Sequence, residues 1–284
     1  MRGRRGELVF AHAGFGARRN RAQGIHRQLA GFCHGADFLG TFDAGEFVHQ
    51  HGQQREFRIG HVLLHFQIGV HAHELGAGAV GGYCGGHIAR AGHNVVLIDP
   101  WAAHVAAINA RGLRLSGTQG EHLVRVPALD ICNVQQLEAA RIDIAFICTI
   151  SYDTEWATQL IRQYLAPDGV IVSLQNGINE EAIASVVGWE RVLGCSVSAL
   201  AAELTAPATI VRNSPLGDEK KWGLRIGEAH GQITPRAEAI AQLLSYSDTC
   251  KVTTNLWGER WSKLIINAMR NGVCALTGLT GRQR

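Results

Sequence analysis

The feature that most constrains this chain is Leu75-Gly76-Ala77-Gly78-Ala79-Val80-Gly81-Gly82, a G-x-G-x-x-G run with a predicted helix over 83–91 behind it. Gly92 ends that helix, and residues 94–99, Asn-Val-Val-Leu-Ile-Asp, read as a compact apolar strand closed by an acid. Gly-rich turn, helix, strand and acid in that order form the fingerprint of a dinucleotide-binding βαβ unit. Gly76 permits the tight turn, Gly78 lets the backbone approach a pyrophosphate, and Gly81 lets helix and strand pack closely. Gly76, Ala77, Gly78, Ala79, Val80 and Gly81 are therefore the expected cofactor-binding residues. The anion is expected on the helix N-terminus, where unpaired N–H groups and the helix dipole favour negative charge. Asp99, twenty-three residues after Gly76, is placed to accept hydrogen bonds from ribose hydroxyls and to repel a 2′-phosphate, which favours NAD(H). An arginine there would favour NADP(H), but the next one along the chain is Arg111.

The strand leading into Gly76 should be a continuous apolar run, because it would lie at the centre of a parallel sheet. Residues 68–75 instead contain His71, His73 and Glu74, which are costly to bury without partners. Upstream the composition differs from the rest: residues 1–73 hold eight of nine Phe, nine of fourteen His and no Lys. The expectation is an atypical segment over 1–73, disordered or translated from a mis-assigned start. His49/His51 and His71/His73 could each place two rings on one strand face. No carboxylate or cysteine stands at a supporting spacing, so no metal site is expected. The basic opening Met-Arg-Gly-Arg-Arg lacks a following apolar region, so no secretory signal is expected.

Beyond Asp99 the pattern is that of an α/β protein. Residues 142–149 form a buried-strand run, 153–164 read as a helix, and 169–174 form another strand ending in Gln175-Asn176-Gly177. Strands alternating with helices predict a doubly wound parallel Rossmann sheet over 74–250. Ligands of such sheets bind beyond the carboxyl ends of the strands, which puts residues 149–152 and 175–177 at the rim of the crevice. Asn176 could donate to a carbonyl or carboxylate there; an Asn-Gly turn explains it equally well. Residues 256–271 read as a helix, the expected start of an all-helical C-terminal part over 251–284. Lys263, Asn267 and Asn271 recur at i, i+4 and i+8, so they share one helical face.

Charge and cysteine usage narrow the classes further. A net charge of +3 is too small and too scattered for nucleic-acid binding. No window holds eighteen uninterrupted apolar residues, so no membrane span is expected. Seven widely spaced cysteines without a C-x-x-C read as reduced thiols of a cytoplasmic protein.

Gly-Ala-Gly-Ala-Val-Gly-Gly, Ser-Tyr-Asp-Thr-Glu-Trp, Ser-Leu-Gln-Asn-Gly-Ile-Asn-Glu-Glu and Leu-Trp-Gly-Glu-Arg-Trp-Ser-Lys-Leu-Ile-Ile-Asn-Ala-Met-Arg-Asn together resemble the ketopantoate reductase family. The resemblance runs from Leu75 to the C-terminus. It implies NADP(H)-dependent reduction of ketopantoate to pantoate, a step of pantothenate biosynthesis, on a Rossmann domain closed by a helical domain. Carried onto these residues, Lys263 becomes the proton donor, and Asn267 and Asn271 hold the hydroxyl and carboxylate ends of the substrate. Asn176 falls beside nicotinamide and substrate, and Ala199 is a weaker cofactor contact. The resemblance is compatible with a homodimer.

This chain departs from the family pattern at Ile150, where a lysine is usual, and at Asp99, where an NADP-favouring arginine is common. The Ser and Glu that the family uses further along are absent. The expectation is a C-terminally truncated chain with weak or absent turnover. Two alternatives stay open: a reductase of another small 2-keto acid, and a nucleotide-binding fragment without catalysis.

Overall fold

The computed structural model describes residues 57–59, 62–64, 71–137 and 142–278. The chain divides into two units, residues 45–265 and residues 1–44 with 266–284. Most of the atypical 1–73 segment, including both His-x-His pairs as side chains, lies outside the described residues, so the expectations for it are not addressed by the structure.

In the 45–265 unit, β1 (Phe57–Ile59) and β2 (Val62–Leu64) pair as a short antiparallel ladder. The principal sheet starts with β3 (His71–Leu75), which is followed by α1 (Ala79–Arg90), β4 (Asn94–Asp99) and α2 (Ala102–Arg111). The chain continues through β5 (Leu113–Gly117), β6 (His122–Val124), β7 (Ala128–Asp130) and β8 (Ile142–Ile147). Next come α3 (Thr154–Ile161), β9 (Leu165–Ser173), α4 (Glu180–Val187) and β10 (Val192–Val197). The last elements are β11 (Ala202–Ala206), β12 (Thr209–Arg212), β13 (Leu224–Glu228), α5 (Pro235–Leu244), β14 (Cys250–Val252) and α6 (Leu256–Thr277).

The eight-stranded sheet has the order β14-β13-β10-β9-β8-β3-β4-β7. Its pairs are parallel except for β10 with β13, which run antiparallel. The lead-in strand, for all its polar residues, pairs on both sides: Leu75 stands opposite Ile98 of β4 and Ile147 of β8. Among the described residues its ladder runs from His71 to Leu75.

Alternation along the strands sends side chains to opposite layers. Val95, Leu97, Phe146, Val170 and Val172 enter one core with Tyr83, Cys84 and Ile88 of α1. Ile98, Ala145, Ile147 and Ile171 enter the other with Ala157, Ile161 and Ile183 of α3 and α4. Both faces are thus covered, which is why β8 is apolar without alternation from Ile144 to Ile147. Ile142 falls in the second core and Ile144 in the first, and a register irregularity between them accounts for the break in alternation.

A second sheet, β11-β12-β5-β6, is absent from the sequence reading. It closes on the far side of α1: a Cβ on Gly82 would meet Ile210 Cδ1 at 2.6 Å, and one on Gly86 would meet Leu115 Cδ1 at 2.9 Å. Gly81, Gly82 and Gly86 therefore serve a helix packed on both sides. Among the described residues no helix is long and apolar enough to cross a membrane.

Candidate functional site

The chain order reverses at β3: the sheet grows one way through β4 to β7 and the other way through β8, β9 and β10. Such a switch point opens a crevice beyond the carboxyl ends of the two diverging strands. Gly76 turns the chain there with φ +94°, and its N–H donates to the Ile98 carbonyl at 2.8 Å. A Cβ at Gly76 would press on the Cys148 and Thr149 backbone at 3.0 Å, and one at Gly81 would lie 2.3 Å from the Gly76 carbonyl oxygen. Around Gly78, by contrast, a Cβ would meet nothing within 4 Å. Turn, open approach and close packing are thus divided among Gly76, Gly78 and Gly81.

Gly78 is also the N-cap of α1, and no side chain caps the helix or places an acid in its first turn. The half-buried backbone of Gly78, Ala79 and Val80 leaves this helix end able to receive an anion. Ala77 is fully buried, and its carbonyl is held by His104. The Ala208 N–H donates to His104 Nδ1 at 3.0 Å, so the ring proton sits on Nε2 and is donated to Ala77 O at 2.9 Å. The imidazole, stacked on Trp101, thereby ties the Gly-rich turn to the second sheet. Asp99 is 1% exposed, and its Oδ1 accepts from the Trp101 N–H at 2.9 Å.

Across the crevice, the turn after β9 carries Asn176 on the surface, with Gly177 at φ +87°. The Asn176 carbonyl accepts from Ser151 Oγ at 3.0 Å and from Asn179 Nδ2 at 2.8 Å, which fixes the backbone of the turn. Gln175, buried behind it, reaches the end of β8: Nε2 donates to Thr149 O at 3.0 Å and to Thr154 Oγ1 at 2.8 Å. Ile150 is 61% exposed on this rim. Ala199 is half-buried, and its N–H donates to the Gly223 carbonyl at 3.3 Å.

Lys263, on α6, donates from Nζ to the carbonyl of Val197 at the end of β10. One turn earlier, the buried Arg260 binds Glu180 Oε1 through Nε at 2.7 Å, Gln175 O through Nη1 at 2.7 Å and Ser173 O through Nη2 at 3.0 Å. The structure thus gathers the Gly-rich turn, the Asn176 turn and Lys263 along one edge of the sheet. Asn267 and Asn271 follow Lys263 by one and two turns of α6, in the second unit. The sequence reading passes over Arg260, Glu180 and His104. Their partners lie 80, 85 and 104 residues away, so no local pattern announces them.

A profile of the ketopantoate reductase PanE/ApbA family matches residues 73–223. This chain belongs to the ketopantoate reductase family. It is 30% identical over 209 residues to the 2-dehydropantoate 2-reductase of Pyrococcus abyssi, covering 71% of this chain and 62% of that protein. The enzyme of the same name from Archaeoglobus fulgidus is 29% identical over 204 residues, with the same coverage. A PanE/ApbA family ketopantoate reductase structure from Ralstonia eutropha superposes with a TM-score of 0.62 at 31% identity, covering 74% of this chain and 65% of that one. The chain thus spans about three fifths of the length of the curated relatives it matches. The ketopantoate reductase profile covers the Gly-rich turn, Asp99 and the Asn176 turn, and ends before α6.

Proposed function

We propose that this chain binds a nicotinamide dinucleotide and reduces a small 2-keto acid, with ketopantoate as the substrate and pantoate as the product. The observation that carries the reading is the uncapped, glycine-lined N-terminus of α1 on the same sheet edge as the anchored Lys263. The cradle fits the cofactor: Gly78 leaves open space where a backbone must approach a pyrophosphate, and the first turn of α1 offers N–H donors with no competing acid. When bound, the nicotinamide supplies the hydride.

The rest belongs to the chain's own residues. As hydride reaches the keto carbon, negative charge grows on the keto oxygen, and the Lys263 ammonium stabilises it and donates the proton. The bond from the Lys263 ammonium to the Val197 carbonyl orients the group at the end of β10. Asn267 and Asn271 hold the hydroxyl and carboxylate of the acid, and the Asn176 amide donates beside the keto group. In this reading residues 74–250 form the nucleotide-binding domain and 251–284 begin the substrate-binding part.

Asp99 sets the cofactor preference toward NADH. A carboxylate ending β4 repels a 2′-phosphate, and Arg111 donates instead to the Pro207 carbonyl at 2.7 Å. Fluorescence titration of the purified chain should show tighter binding of NADH than of NADPH. Oxidation of the bound nucleotide should then follow addition of ketopantoate. Failure of both nucleotides to bind would remove the reading; equal turnover of every small 2-keto acid would remove only its substrate.

A further inference from the structure

Three segments bound the crevice opposite the Gly-rich turn: the end of β8, the turn after β9, and α6. Two buried side chains join all three. Gln175 spans from the turn to Thr149 and Thr154, and Arg260 spans from α6 to Ser173, Gln175 and Glu180. Arg260 is 2% exposed and Glu180 is fully buried. Glu180 is itself fixed at the start of α4, where Oε2 accepts the Asn179 N–H at 3.1 Å.

Stability alone is a poor reason for this pair. Burying two charges carries a desolvation penalty that their attraction at best offsets, and well-packed apolar residues often serve as well. A guanidinium does, however, supply a planar fork of donors that fixes direction, which a point charge or an apolar contact does not. Arg260 precedes Lys263 by three residues, so a fixed Arg260 fixes the rotation of α6 that aims Lys263 at Val197. The same guanidinium holds the carbonyl of the residue immediately before Asn176.

We propose that Arg260, through its bonds to Glu180, Gln175 and Ser173, is a positioning residue that sets Lys263 against the Asn176 turn. Its consequence for turnover rests on the reductase reading above; its structural consequence does not. Loss of the fork lets α6 roll, Lys263 leaves the Val197 carbonyl, and the proton donor no longer faces the keto oxygen.

The test uses the full chain, whose lysines are Lys220, Lys221, Lys251 and Lys263. Brief acetylation with peptide mass mapping reads each lysine separately. In Arg260→Gln, Lys263 should label several-fold faster relative to Lys251, with Arg260→Lys and Glu180→Gln between that variant and the unsubstituted chain. Unchanged Lys263 labelling in a folded Arg260→Gln overturns the proposal. If that variant unfolds, the half-buried Lys251 rises together with Lys263, while the exposed Lys220 and Lys221 stay as they were, and Glu180→Gln decides on the same criterion. With ketopantoate and NADH, kcat should fall on the order of 100-fold in Arg260→Gln, while nucleotide affinity stays unchanged. If the unsubstituted chain turns over no 2-keto acid, the reductase reading fails and the labelling result still decides the role of Arg260.

Discussion

Lys263 is a lysine that an apolar helix would not place by chance, since the other three stand at 220, 221 and 251. Replacing it with methionine keeps the stem and removes the proton. Lys263→Met should lower kcat by about 10²- to 10⁴-fold with nucleotide affinity unchanged, a split that steady-state kinetics and titration resolve. His87 illustrates a different residue-scale effect. Burial first, then the charges of Arg90, His122 and Arg212, lower its pKa from 6.5 to about 4. Above pH 6.5 the ring is neutral in folded and unfolded chains alike. As pH falls toward 4 the unfolded chain takes up a proton that the folded one refuses, so stability is lost across that window, by about 3 kcal/mol in all. Urea unfolding of His87→Leu should show a shallower acid limb than the unsubstituted chain; an identical limb would assign the loss to other groups.

At the scale of the element, α1 contains four interior glycines, each costing about 1 kcal/mol relative to alanine in an isolated helix. Packing on both sides offsets that cost, because the helix lies closer to β3, β8 and the second sheet than side chains would allow. Two neighbouring glycines should respond in opposite ways. Gly81→Ala drives a Cβ into the Gly76 carbonyl and should destabilise the chain by about 1–3 kcal/mol, read as a lower Tm. Gly78→Ala meets open space and should keep its Tm, yet weaken nucleotide binding about tenfold, because the added methyl stands where the pyrophosphate must approach. If Gly78→Ala binds nucleotide as well as the unsubstituted chain, the anion does not sit at this helix end.

Within the 45–265 unit, the two sheets are joined by a buried ion pair. Arg212 of β12 bonds Asp248, just before β14, at 2.5 Å, and its remaining donors reach the Ser214, Pro215 and Ser247 carbonyls. Asp248 also accepts from the Gly217 and Thr249 N–H groups. Arg212→Met would leave that carboxylate buried without its cation. Chemical denaturation should register a loss of about 3–5 kcal/mol, more than a surface arginine costs.

What the sequence by itself determined is the local part of this protein. The Gly-rich turn, β4 with Asp99, the β8 run and the helix bearing Lys263, Asn267 and Asn271 are written in adjacent residues whose periodicity and backbone demands are short-range. The α1 helix begins earlier than read, at Ala79, because its glycines depress helix propensity while its packing does not depend on it. Tertiary structure alone decided the rest. The second sheet pairs β5 with β12, nearly a hundred residues apart, through strands too short to carry a pattern. His104 finds Ala77 and Ala208, and Arg260 finds Glu180 and Gln175, only after the sheet has formed. A buried polar group must meet its partner, but the sequence does not say where along the chain that partner stands, because the fold chooses it.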